Sequence, residues 1–290
     1  MNENKIIRRL SAIGIGGNIL LVVFKLYAGI TGRSGAMVSD AVHSMSDVLA
    51  TLVAYIGVRV AKKAPDKDHP YGHDRFECLA SLALGFILLA TGVGIGYEGL
   101  KSIITGEYRN YTAPGMIAVA AALVSIAAKE GMFRYTMHYA KKLNSSAFKA
   151  DAWHHRSDAL SSVGSLAGII GARLGAAVMD SAAAVVISLF ILKVGAEIVR
   201  DAIGKMLDRS CGEEFENELS EFIGAQKGVE RLDMLRTRQF GDKIYIDAEI
   251  SVDGSLSLSE AHRIAESVHD CVESRYPNIK HIMIHENPTE

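Results

Sequence analysis

The stretch "SDAVHSMSDVLA", Ser39 to Ala50, sets Asp40, His43 and Asp47 inside a segment that is otherwise apolar. "ADAWHHRSDALS", Ala150 to Ser161, repeats the arrangement, and both copies read D-A-x-H-x-x-S-D-x-L. In each copy the histidine and the second aspartate are four residues apart, which puts them on one face of a helix. The segments around the two copies decide the fold class. A bilayer core of about 30 Å needs roughly 20 residues of helix. Six segments qualify: 10–31, 36–60, 77–100, 113–134, 148–173 and 178–204. The third carries no charge between Cys78 and Tyr97, and the fourth none from Ala113 to Ala128. The motif-bearing segments score lower on hydropathy because their own charges penalise them.

Basic residues flank alternate ends of these spans. Lys5, Arg8, Arg9, Arg59, Lys62, Lys63, Lys67, Arg75, Arg134, Lys141, Lys142 and Lys149 fall on one side, and only Arg33, Lys101, Arg109 and Arg173 on the other. That asymmetry places both termini in the cytoplasm of a multi-pass cell (inner) membrane protein. Residues 1–205 are read as a six-helix transmembrane domain embedded in the lipid bilayer. Residues 206–290 have the polar balance of a soluble cytoplasmic domain, with elements in the order αββαβ and helices packed on one face of a small antiparallel sheet. The fold class expected is therefore an α-helical membrane protein with a C-terminal α+β, ferredoxin-like domain. The 290 residues carry a net charge of −2, which gives no footing for a nucleic-acid partner. Three scattered cysteines form no CxxC pair and imply no disulfide framework. The glycines of "GIGG" (14–17) and "GVGIG" (92–96) follow no strand, so they are read as helix-packing positions rather than a dinucleotide loop.

A charge at the bilayer centre costs about 2.5–3.5 kcal/mol even on insertion scales, so each motif needs a compensating partner. The plainer alternative is a buried Asp–Arg or Asp–Lys pair, for instance with Lys25. It leaves unexplained why the pattern occurs twice and why each copy couples an imidazole to a carboxylate. Two facing helices would instead bring His43, Asp47, His154 and Asp158 around one point. Two nitrogens and two oxygens suit a tetrahedral divalent ion, most naturally Zn²⁺. Asp40 and Asp151 are expected to orient the imidazoles or line the approach, and His155, rotated about 100° from His154, is read as off-site. In "APDKDHPYGHDRFE", His69 and His73 with Asp66 or Asp68 form either a chelating cluster or a solvated turn whose histidines cap a helix.

Six spans, a His-x-x-x-Asp pair on the second and fifth, and an αββαβ tail resemble the cation diffusion facilitator family over nearly the whole chain. The resemblance implies a homodimeric antiporter that exchanges cytoplasmic divalent metal ions for protons. It also implies that His43, Asp47, His154 and Asp158 form the transport site, and it favours a peripheral metal site at Asp66, His69 and His73. A further site between cytoplasmic domains would fall on Asp233, Asp247, His262 and His285, with aspartates where related proteins have histidines. The expected function is Zn²⁺ export coupled to protons; Fe²⁺, Mn²⁺, Co²⁺ or Cd²⁺ export by the same residues is the alternative. A transporter is not expected to be an enzyme. An intramembrane metalloenzyme is disfavoured because no HExxH stands on a span and protein fills all four ligand positions. A membrane metal sensor that does not transport would be told apart by flux.

Overall fold

The computed structural model describes residues 3–31, 35–107, 116–173, 178–241 and 243–289. They divide into two compact units, Met1–Ala202 and Ile203–Glu290. The first holds six helices: α1 (Glu3–Thr31), α2 (Gly35–Ala61), α3 (Arg75–Thr105), α4 (Met116–Lys142), α5 (Ser146–Arg173) and α6 (Val178–Met206), the last running into the second unit. At 1.5 Å per residue each is about 40 Å long, more than a hydrocarbon core requires. By length and composition, Lys5–Tyr27 and Arg75–Thr105 are apolar enough to cross a membrane. The helices overrun the expected spans. α1 begins at Glu3, where that acid forms an ion pair with Lys62 at the end of α2. α4 continues past residue 134 because "FRYTMHYAKK" offers no breaker before Asn144. Asn144 takes φ 46°, a left-handed conformation that asparagine tolerates. The next residue, Ser145, accepts the Phe148 N–H on its hydroxyl at 3.2 Å and so caps α5.

Small side chains let these helices approach closely. The core joins Ile7 and Leu10 of α1 to Ala50, Ala54 and Val58 of α2, Leu84 of α3, Ala140 of α4 and Phe148 of α5. A methyl group added at Gly57 would lie 2.2 Å from the Ala80 side chain, so the α2–α3 contact exists only with glycine there. On the far side of α3, a Cβ at Gly92 would meet Leu192 at 2.9 Å and one at Gly96 would meet Ser188 at 2.7 Å, both on α6. Gly92 and Gly96 thus serve helix packing, as their context implied, whereas a Cβ at Gly94 would meet nothing within 4 Å.

The second unit contains α7 (Glu213–Gly224), β1 (Arg231–Phe240), β2 (Lys243–Asp253), α8 (Leu258–Arg275) and β3 (Ile279–Thr289), the expected αββαβ order. Ser257 and Glu260 form a reciprocal capping box that starts α8. A tight hairpin pairs Phe240 with Lys243, with Gly241 at φ 57°; Asp242 lies outside the described residues. The sheet differs from expectation. β1 and β2 are antiparallel, but β3 runs parallel to β2, giving a mixed sheet in the order β1-β2-β3. The reason is α8, which carries the chain back along the sheet before β3 begins, as a crossover helix must. Ile246, Ala248, Ile250 and Val252 of β2 pack with Leu219, Ile223, Val268 and Val272 of the helices.

Replacing Gly57 by leucine is expected to force α2 from α3 and to destabilise the first unit by about 1–3 kcal/mol. Thermal unfolding of the purified chain in detergent reads this as a lowered midpoint, with Gly94→Leu, which meets nothing within 4 Å, as the tolerated comparison.

Candidate metal centre

α2 and α5 bring Asp47, His154 and Asp158 together. One ligand atom from each lies within 4.8 Å of the other two, and all three residues are buried. His154 Nε2 stands 3.3 Å from Asp47 Oδ1. A tetrahedral ion with bonds of about 2.1 Å sets its ligand atoms about 3.4 Å apart, so this spacing suits one. His154 Nδ1 has no hydrogen-bond partner among the described residues although it is fully enclosed. Phe133 of α4 and Phe190 of α6 hold the neighbouring Trp153 ring between them, at centroid separations of 5.5 and 6.0 Å, which fixes the rotation of α5.

The centre contains a group that the motif pair does not announce. Lys129 of α4, 1% exposed, donates to Asp47 Oδ2 at 2.5 Å, Asp158 Oδ2 at 2.9 Å and Asn18 Oδ1 of α1 at 2.9 Å. A buried Asp–Lys pairing is therefore present beside the metal-ligand geometry, and the lysine is Lys129 rather than Lys25. Lys25 donates to Ser44 at 2.9 Å. The signal was in the sequence: the uncharged run of the fourth segment stops one residue before a lysine, and an ionisable group inside an apolar helix marks a functional position.

Of the two flanking acids, Asp151 is found beside a different imidazole from the one it was expected to orient. Asp151 accepts from Thr51 at 3.0 Å and lies 3.8 Å from His155 Nε2, so it faces His155 and not the His154 imidazole. The reason is helical phase: Asp151 and His155 are themselves four residues apart and share a face. His155, fully buried, has no hydrogen-bond partner on either ring nitrogen among the described residues. Asp40 and His43 belong to α2, but their side chains lie outside those described; His43 is placed only by its position one turn before Asp47.

The loop between α2 and α3 holds a second donor set. Asp66 Oδ1 lies 3.3 Å from His69 Nδ1 and its Oδ2 lies 3.3 Å from His73 Nε2, while the two imidazole centroids are 4.5 Å apart. One ligand atom from each of the three falls within metal-binding reach of the others; Asp68 is not in the group. The His69 main-chain N–H donates to Asp66 at 2.8 Å and chiefly holds that carboxyl below its ordinary value, despite some burial acting the other way. The carboxylate is thus ionised and aimed before any ion arrives. Gly72, at φ 94°, makes the turn that returns His73 to it.

The four C-terminal candidates do not converge within one chain among the described residues. Asp233 accepts from Ser251 at 2.6 Å, Arg231 at 2.6 Å and Asn287 at 3.1 Å. Those bonds, the serine's first, draw its carboxyl down to about 2. Asp247 is 3.9 Å from Arg238, and His262 Nδ1 is 3.6 Å from Glu286. His285 pairs with Glu249 across β2 and β3. Strand alternation contributes: Asp247 and His285 stand on the strand positions that alternate with the core-facing Ile246, Ala248, Ile282 and Ile284, whereas His262 is carried on α8.

Comparison with known proteins bears on both units. The cation efflux transmembrane domain matches residues 11–207, and the cytoplasmic domain of cation efflux proteins matches residues 211–289. An uncharacterized transporter of Methanocaldococcus jannaschii is 36% identical over 274 residues, covering 94% of this chain and 95% of the relative. A manganese efflux system protein of Bacillus subtilis is 29% identical and spans 99% of this chain and 97% of its own. Magnetosome protein MamB of a Magnetospira species is 33% identical over 93% of this chain and 92% of the relative. Buried paired donors on two long helices, joined to matches across both units, place the chain in the cation diffusion facilitator family, as a membrane-integral protein of divalent metal cation efflux.

Proposed function

We propose that the chain works as a homodimeric exporter that carries Zn²⁺ out of the cytoplasm in exchange for protons. In this reading all six long helices cross the membrane, both termini are cytoplasmic, and His43, Asp47, His154 and Asp158 form the transport site. The observation that carries it is the convergence of Asp47, His154 and Asp158, three buried donors separated by up to 111 residues in sequence. A buried imidazole beside two carboxylates favours ions that accept nitrogen as well as oxygen ligands, which points towards Zn²⁺. Protons and metal compete for the same atoms, because a ligand must be deprotonated to hold the ion. Alternating exposure of a fixed central site then turns that competition into exchange. The Bacillus subtilis relative's name favours a second reading, Mn²⁺ export by the same residues.

Asp66, His69 and His73 are proposed as a peripheral site that concentrates or senses metal at the entrance. Asp233, Asp247, His262 and His285 lie apart within one chain, so a metal there would be shared between the two chains of the dimer.

Asp158→Asn is expected to lower Zn²⁺ and Mn²⁺ uptake into proteoliposomes by at least about a hundredfold, since it removes a ligand outright. Collapsing the pH gradient should slow the wild type. Near-normal flux in a folded Asp158→Asn protein would dismiss the site, and indifference to the gradient would dismiss the exchange.

His73→Ala should reduce the ions bound per chain by one in equilibrium dialysis while transport stays within about tenfold of wild type. Unchanged stoichiometry would remove the loop site.

A further inference from the structure

We propose that Lys129 is the transport site's own competing cation: its ammonium holds the position a transported dication takes between Asp47 and Asp158, and an ion binds there only by displacing it. The proposal rests on reading Asp47, His154 and Asp158 as the transport site. An ammonium has three hydrogens to donate, and Lys129 has three acceptors, one each on Asp47, Asp158 and Asn18, within 2.5–2.9 Å. It bridges carboxylate oxygens from two different helices, and the other oxygen of the Asp47 carboxylate is the one 3.3 Å from His154 Nε2. A dication bound by both carboxylates and that imidazole lies among these same atoms, at bonds of about 2.0–2.2 Å. Two cations cannot share so small a volume, because their repulsion is barely screened where Asn18, Asp47, Lys129, His154 and Asp158 are all buried.

The lysine is built to yield and to return. Its flexible four-carbon stem lets the charged end withdraw along α4 while staying an ammonium, and Asn18 keeps one acceptor on the α1 side. When the ion has left, the ammonium again pairs the two carboxylates, so the unloaded carrier never buries them uncompensated. Displacement also sets a threshold. Mg²⁺ prefers oxygen ligands and sheds its waters reluctantly, so it gains little from His154 to offset the lost lysine bonds. An ion that takes the imidazole nitrogen gains more. Lys129 thereby acts as a specificity residue that screens out the abundant hard dication.

The test measures binding to the full-length chain in detergent at pH 8, using Zn²⁺ and Mn²⁺ against a chelating dye, with Asp158→Asn as the control that identifies transport-site binding. Lys129→Met is expected to tighten that binding at least tenfold and to let millimolar Mg²⁺ compete, whereas no competition by Mg²⁺ is expected in the wild type. In proteoliposomes the same variant should lower KM and kcat together, because the ion enters more readily and is no longer displaced. Lys129→Gln, which keeps hydrogen bonding without the charge, should behave alike and serves where the methionine variant does not fold. On the wild type itself, the ¹⁵N resonance of the Lys129 ammonium should move when Zn²⁺ binds. Unchanged or weaker binding in a folded Lys129 variant, or an unmoved ammonium signal, overturns the competing role. If Asp158→Asn binds like the wild type, the transport-site reading itself falls, and the role of Lys129 with it.

Discussion

Two carboxylates buried on different helices cannot be left to themselves, and the first unit is organised around that constraint. Asp47 and Asp158 are 1% and 6% exposed, and one ammonium from a third helix lies between them. Asn18 of a fourth helix completes the ammonium's partners. The polar centre therefore ties the rotation and register of α1, α2, α4 and α5 to one another. Removing one partner from such a cluster costs about 3–5 kcal/mol, whereas an all-apolar replacement is often neutral. The charges are thus poorly explained as stabilisers, which is in keeping with the role proposed for them.

The donor sets differ in how they are made. Asp66, His69 and His73 come from one short loop, shaped by a local turn and a glycine at positive φ, and lie at a more exposed position. Asp47 and His154 are 107 residues apart and meet only because the bundle is folded. A locally encoded cluster can pick up an ion whatever the helices are doing. A cluster split between two helices is remade or broken by any motion between them, which is the property a carrier needs.

Much of this was legible in the residues. The repeated His-x-x-x-Asp spacing is a helical signature, so the convergence of Asp47, His154 and Asp158 followed from pattern, as did the αββαβ order from alternation and caps. Lys129 did not follow from pattern. Spacing says which residues share a helix face, but the partner of a buried acid is decided by which helices pack together, and from sequence Lys25 was as eligible. For Asp151 an i, i+3 relation to His154 competes with an i, i+4 relation to His155, and Asp151–His155 prevails in the structure. The parallel pairing of β3 was available in principle, since a helix between neighbouring strands reverses the chain twice.

The tight reversal at Asn144 and Ser145 joins α4 to α5 as one hairpin. Lys129 stands about four turns before that bend and Asp158 about four turns after it, so the two arms reach the centre at matched depth. His154 and Asp158 share one arm and Lys129 the other, whereas Asp47 belongs to α2. Tilting the hairpin as a body against α2 therefore pulls Asp47 away from the remaining donors while the Lys129–Asp158 pair travels intact. The boundary between that hairpin and α2 thus runs through the middle of the proposed transport site.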